Sequence, residues 1–147
     1  MKIKNTDEKF MDEAIGEAKK AYRENEVPIG AVIVRDGIII GRGHNQTEKT
    51  TNPVAHAEVL AIRNAAKKIG GWRLTGCDLY VTVEPCLMCL GAAALARISH
   101  IIYGATEPKF GFTGRLQCLP RNLEIRTGIL ENQCRDLLRK FFKRLRK

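Results

Sequence analysis

Asp78-Leu79-Tyr80-Val81-Thr82-Val83-Glu84-Pro85-Cys86-Leu87-Met88-Cys89 is the stretch that decides the fold. After Asp78 the run to Val83 is mostly apolar and rich in β-formers, which reads as a short strand. The chain then passes directly through Glu84-Pro85-Cys86 into a helix expected to run to about residue 97. Proline suits the first position of a helix, so Cys86 and Cys89 fall in the opening turns and face one point. The positive end of a helix also favours thiolates.

Working outward, the next chemical signal upstream is His56-Ala57-Glu58. His-x-Glu alone occurs by chance, and Cys-x-x-Cys alone is equally a structural zinc site or a redox pair. Together they supply three zinc ligands, His56, Cys86 and Cys89, and one unligated carboxylate, Glu58. Structural zinc sites are normally closed by four protein ligands, whereas catalytic ones take three and leave a position for water. Zinc in such a site lowers the pKa of its water to about 7. Glu58, two residues from the histidine, is then placed to move protons. Three unrelated core residues and a thioredoxin-like pair are the competing readings, and neither requires His56 and Glu58 together.

The flanking pattern is an alternation of helices and strands. Phe10, Ala14, Ala18 and Tyr22, with Met11 and Ile15, recur at helical spacing and predict a helix over 7–23. Residues 29–34 and 38–43 read as strands joined at Asp36-Gly37, a hairpin signal. A loop follows through Pro53. A second helix is expected over 55–69, stopped by Gly70-Gly71 and carrying His56 and Glu58 in its first turn. Further strands are expected at 101–104 and 123–126, before a terminal helix from about Glu131. The alternation argues for an α/β sheet covered on both faces. Both metal-bearing helices begin at the site.

The chain has 147 residues, which fits a single domain over 1–147. No stretch approaches the ~18 consecutive apolar residues of a membrane span, and the N-terminus carries no signal-peptide apolar core, so a cytoplasmic protein is expected. Of five cysteines, Cys77, Cys118 and Cys134 are left after the metal pair, without disulfide spacing. Net charge is +9. It concentrates in residues 135–147, seven basic and one acidic, with Leu137, Leu138, Phe141, Phe142 and Leu145 at three- and four-residue spacing. This is a basic helix whose apolar face docks on the body, and its charge suits a polyanionic partner. A solvated face and membrane-surface binding are the other readings of the same pattern. His44 and His100 fall in no ligand cluster and read as structural or solvent-facing.

With those residues placed, the chain resembles the cytidine deaminase superfamily, and within it the bacterial tRNA-specific adenosine deaminases, over nearly its whole length. The resemblance rests on Glu26-Val27-Pro28-Ile29-Gly30-Ala31, His44-Asn45, Ala55-His56-Ala57-Glu58, residues 79–86, Met88-Cys89, Ser99 with Tyr103-Gly104-Ala105, and Phe141-Phe142. It implies a three-layer α/β/α sandwich with a five-stranded mixed sheet, and one zinc ion per subunit on His56, Cys86 and Cys89. It implies that a zinc-activated water attacks the amine-bearing carbon, with Glu58 as the proton carrier and ammonia leaving. Adenosine at the wobble position of a tRNA would become inosine. By the same resemblance Asn45 hydrogen-bonds the base, while Val27, Gly30, Ala31, Ala57 and Glu84 lie at substrate-binding positions. Glu107 sits where these enzymes carry an acidic residue near the substrate. Phe141, Lys143, Arg144 and Arg146 match the segment near the anticodon loop, and a homodimer is implied.

Three departures bear on the substrate. Pro120-Arg121-Asn122 stands where the family usually has Asn-His before the fifth strand. The loop at 110–115 is bulky, with Phe110 and Phe112 expected near the mouth, to stack on an RNA base or to narrow the pocket. Leu90 replaces a small residue and reads as a packing change. A deaminase of free guanine, cytosine or a nucleoside is the alternative, because zinc chemistry alone does not choose the substrate. An RNA-binding module with structural zinc is the non-enzymatic reading.

Overall fold

The computed structural model of the chain describes residues 2–120 and 122–146. In chain order the elements are α1 (Lys2–Arg23), β1 (Gly30–Arg35), β2 (Ile38–His44), α2 (Ala57–Ile69), β3 (Asp78–Val83), α3 (Leu87–Leu95), β4 (His100–Ala105), β5 (Glu124–Thr127) and α4 (Glu131–Leu145). The strands form one five-stranded sheet in the order β2-β1-β3-β4-β5. β1 pairs antiparallel with β2 and β3, while β3, β4 and β5 run parallel, so the sheet is mixed.

Period-two alternation explains why helices cover both faces. Successive strand side chains point to opposite faces. Ala31, Ile33, Leu79, Val81, Ile101 and Tyr103 fall in one core with Ala57, Ala61 and Ala65 of α2 and Leu90 and Ala93 of α3. The intervening Val32, Val34, Tyr80 and Ile102 fall in a second core with Phe10, Met11, Ala14 and Ile15 of α1 and Cys134 of α4. The result is a three-layer α/β/α sandwich. Leu90 is a buried packing residue, as read from sequence.

Close approach of helix to sheet is set by glycines. A Cβ on Gly43 would lie 2.4 Å from the Ala57 carbonyl oxygen, and one on Gly41 2.4 Å from that of Ala61. Ala57, Ala61 and Ala65 recur every four residues on the α2 stripe that meets these strand positions. The β1–β2 turn has positive φ at Asp36 (51°) and Gly37 (77°), the two-residue geometry its sequence signals.

Several boundaries differ from expectation, for local reasons. α1 starts at Lys2, five residues before the expected start at residue 7. α2 begins at Ala57, because His56 is its extended N-cap (φ −80°, ψ 152°). α3 begins at Leu87, because Cys86 is likewise an extended N-cap (φ −77°, ψ 173°), which puts Pro85 outside the helix. β5 is shifted one residue, to Glu124–Thr127. The docking face of α4 is narrower than its hydrophobic spacing suggested: Cys134 and Phe141 are its buried residues, while Phe142 and Leu145 are exposed. Arg121, of the Pro120-Arg121-Asn122 departure, lies outside the described residues, as do Met1 and Lys147.

Candidate active site

Two helix starts converge at the carboxyl end of β3. An N-cap residue usually spends its side chain on the free amides of the first helical turn. Neither His56 nor Cys86 makes such a bond, so both side chains are turned instead toward each other. Cys89, in the first turn of α3, completes the cluster. The ligand atoms of His56, Cys86 and Cys89 lie within 4.8 Å of one another, the one metal-type group of this kind among the described residues. His56 Nδ1 stands 3.7 Å from Cys86 Sγ and 3.5 Å from Cys89 Sγ. A tetrahedral zinc with bonds of about 2.3 Å to sulfur and about 2.0 Å to nitrogen separates such atoms by roughly 3.5 Å. The residues therefore fit a zinc ion held by three protein ligands.

The electrostatics of the group favour cation binding. Hydrogen bonds from Cys89 and His56 pull the Cys86 thiol down to about 3, so this sulfur is a thiolate at neutral pH. The same hydrogen bond, with burial, pushes Cys89 far up, and the Cys86 sulfur raises the His56 imidazole. A metal that displaces these protons gains one soft anionic ligand already formed. Glu58 stands in the first turn of α2 and is almost fully buried. Burial pushes its carboxyl up to about 7, opposed by its own backbone amide and by the His56 charge. A carboxyl that exchanges its proton near neutrality is suited to general acid and base work.

His56, Glu58 and Cys86 line a cavity of about 740 Å³. Val27 and Ile29 before β1, Asn45 and Thr47 after β2, and Val83 and Glu84 at the end of β3 form its walls. Its outer side is made by Glu107, Lys109 and Phe110 and by Leu138 and Phe142 of α4. Asn45 holds its side chain loosely: its amide donates to the Val27 carbonyl at 3.5 Å, and its oxygen accepts from the Thr47 amide at 3.4 Å. Both lengths are at the limit of hydrogen bonding, which leaves the group able to turn to a ligand.

Both loops beside the cavity are fastened from beneath by buried carboxylates. Glu26, fully buried, accepts the amides of Glu48 (3.1 Å) and Lys49 (2.6 Å). Glu84 accepts those of Glu107 (2.9 Å) and Thr113 (2.8 Å). Gly111 sits against Glu84, where a Cβ would come within 2.3 Å of the carboxyl carbon. The Glu107 carboxylate accepts the amides of Lys109 (3.0 Å) and Phe110 (3.1 Å), and Arg115 binds the carbonyls of Gly111 and Lys109.

The structure brings together His56, Glu58, Cys86, Val27, Asn45, Ala57, Glu84 and Glu107 at this cavity, with Cys89 beside His56 and Cys86 but not on the cavity wall. Gly30 and Ala31 are elsewhere. Gly30 faces α1, where a Cβ would lie 2.1 Å from the Ala14 carbonyl oxygen, and Ala31 is in the core. Phe141 is buried with its ring against Tyr22, and its neighbour Phe142 reaches the cavity. Phe112 packs edge-on to Tyr103 in the core, so Phe110 alone of the loop's aromatics is at the mouth. Lys143 lines a different cleft, and Arg144 lies over the Tyr22 ring and donates to the Tyr22 carbonyl and Asn25. Arg146 is exposed at the C-cap of α4. His44 bonds Glu24, and His100 bonds Asp78 and Glu124, away from the metal group. Sequence reading missed Phe142, though Phe141 lies seven residues from Cys134 and so shares its buried face. It also gave Glu26 no role, although Glu26 opens one of the segments on which the resemblance rests.

Residues 4–105 match the family model of the cytidine and deoxycytidylate deaminase zinc-binding region. The chain is 48% identical to the tRNA-specific adenosine deaminase of Bacillus subtilis over 96% of its own length and 91% of that protein. It superposes with a TM-score of 0.81 and 41% identity on a structure from work on A-to-I editing by tRNA:A34 deaminases, covering 88% of this chain and 98% of the other. A guanine deaminase of Bacillus subtilis is also 41% identical, with a TM-score of 0.66, over 72% of this chain and 71% of the other. The chain therefore belongs to the cytidine and deoxycytidylate deaminase family, together with these tRNA-specific adenosine deaminases.

Proposed function

We propose that this chain, as a single domain over 1–147, is a zinc-dependent hydrolase that converts adenosine to inosine at the wobble position of tRNA. The observation that carries this reading is one cavity lined by His56, Cys86 and the buried Glu58, with Cys89 completing the ligand group beside it, whose outer wall is made by Lys109, Phe110 and Glu107 and by Leu138 and Phe142 of the basic helix α4. A polyanionic substrate meets that wall on its way to the chemistry. The length over which the chain follows the Bacillus subtilis tRNA enzyme supports it further.

His56, Cys86 and Cys89 would hold a zinc ion, whose chemistry would be to activate a water for attack at neutral pH. Glu58, whose carboxyl exchanges its proton near neutrality, would carry a proton to the ring nitrogen beside the amine-bearing carbon and then to the amine that departs as ammonia. Asn45 orients the base from the β2 side, and Val27, Val83 and Ala57 exclude water around it. Phe110 and Phe142 flank the entrance, where an unstacked base and its neighbours find aromatic surfaces. The partner is the anticodon loop of a tRNA.

Two further parts of the reading concern the cell and the assembly. All five cysteines are free thiols, which agrees with a reducing cytoplasm, and no described helix is long and apolar enough to cross a membrane. Leu87, Met88 and Leu95 of α3 and nearby Trp72 are exposed, an apolar surface suited to a homodimer. Sedimentation at the predicted dimer mass checks this, and a monomer refutes it.

The deciding experiment is inosine formation by zinc-loaded protein on an anticodon stem-loop with a wobble adenosine, beside free guanine, cytosine and adenosine. Inosine on the stem-loop, abolished by Glu58→Ala with zinc retained, supports the reading. Ammonia from free guanine with the stem-loop untouched replaces it with the free-base alternative, to which the guanine deaminase likeness points.

A further inference from the structure

α4 has two flanks. Leu138 and Phe142 face the zinc cavity, while Leu137, Lys140 and Lys143 face a second cleft of about 690 Å³ between α4 and α1. Ile15 and Leu137 form its apolar part, and Lys19, Arg139, Lys140 and Lys143 bring four cations to it. Asp136 is its one acidic residue and is paired with Arg139 at 3.8 Å. Elsewhere this chain matches many of its cations, as in Lys20 with Glu17, Arg42 with Glu13, Lys49 with Glu24 and Arg126 with Asp7. Among the described residues, Lys19, Lys140 and Lys143 enter no ion pair, although they converge on one concavity from two helices.

We propose that this cleft is a track for the sugar-phosphate backbone of the RNA substrate, beyond the nucleotide that enters the zinc cavity. The inference rests on the tRNA reading above and adds a second contact surface to it. Cations without carboxylate partners in a concave surface suit a polyanion, and flexible ammonium groups suit a backbone read without sequence. The cleft is open, which suits a strand passing through better than a small enclosed anion. An α-helix with its side chains is about 10–12 Å across, so a strand that leaves the cavity and crosses α4 reaches the cleft within a short step. The concavity also argues against a lipid surface, which presents a plane to its ligand protein.

The test uses the zinc-loaded full chain and a fluorescent anticodon stem-loop, with binding followed by anisotropy at a series of salt concentrations. Lys19→Ala/Lys140→Ala removes two charges from the cleft, and Lys67→Ala/Lys68→Ala removes two exposed charges from the far end of α2 as a control. All four side chains are exposed, so each variant is expected to melt with the wild type. Each lost phosphate contact lowers the slope of log affinity against log salt by about 0.7–0.9. The cleft variant is therefore expected to lose roughly 1.4–1.8 of slope, and the control none. An unchanged slope in the cleft variant, or an equal fall in both, overturns the proposal. So does loss of binding to phosphatidylserine vesicles with stem-loop binding intact, which would make the cleft a membrane contact. Wild-type deamination separates the two readings. If the wild type makes inosine and the cleft variant keeps its KM, the cleft fails and the tRNA enzyme stands. If the wild type makes none while the cleft variant still loses slope, the cleft stands and the enzyme reading falls.

Discussion

Glu58 combines three properties that conflict in a structural residue: burial, an acidic group, and a place beside a metal-binding cluster. Its burial is a cost that the metal-free protein carries. With the carboxyl pushed up to about 7 from the ordinary 4.5, the folded chain holds a proton that the unfolded chain releases at lower pH. The stability this group contributes is complete below about 4.5 and is lost as pH rises through about 7. Glu58→Gln cannot ionise, so in zinc-free protein its melting temperature should gain on the wild type between these two values and keep a constant lead above them. Calorimetry from pH 4 to 9 checks this, and a lead that does not grow with pH refutes it. In the zinc-loaded enzyme the same substitution should lower kcat by roughly 10²–10⁴ with metal content unchanged, measured beside the inosine assay. At this scale the zinc ligands were legible because ligand chemistry constrains spacing in sequence. Phe141 and Phe142 were not separable by type, since adjacent aromatics differ only in which side of the helix they occupy.

The elements are held in register by devices of different legibility. β1, β3 and β4 were readable as short, nearly continuous apolar runs because both faces of the sheet are covered, and the helices followed from their repeats. Their starts were misplaced at His56 and Cys86 because propensity favours continuing the helix, whereas the cluster needs both residues extended. The Asp7 network was invisible, because its partners are 73 and 119 residues away in sequence. Tyr80 donates its hydroxyl to Asp7 at 2.6 Å, and Arg126 donates to both carboxylate oxygens at 2.8 and 2.9 Å, tying α1 to β3 and β5. Asp7→Ala strands a buried phenol and a half-buried guanidinium. It should cost about 2–4 kcal/mol in urea unfolding, less than a fully enclosed pair because Arg126 reaches solvent. Gly43→Ala places a methyl against the first turn of α2 and should destabilise the fold by about 1–3 kcal/mol. Because that turn carries His56 and Glu58, reduced zinc occupancy at equal total zinc should accompany the loss.

Across the whole molecule the basic charge is unevenly spent, with much of it on α4 and its surroundings. The composition announced a polyanionic partner, but not that α4 would divide its cations and aromatics between two concavities. Phe110 belongs to this scale, because it is 62% exposed at the mouth yet held by a loop whose backbone is bonded inward. Phe110→Ala should raise KM for the stem-loop roughly 5- to 100-fold, the worth of one stacked base, and leave the melting temperature unchanged. An unaltered KM would show that the ring meets no base. The paired anchors Glu26 and Glu84 carry a longer consequence. Each fixes the course of a loop by gripping main chain, which every amino acid possesses, so neither depends on the outward side chains of the loop it secures. Thr47 and Phe110 are thus interchangeable parts on a fixed mounting. A library randomised at those two positions should stay mostly folded and zinc-bound while its substrate range varies, whereas one randomised at Glu26 and Glu84 should yield few active members whatever the substrate. The route by which one deaminase becomes another is in this sense built into the layer beneath the rim.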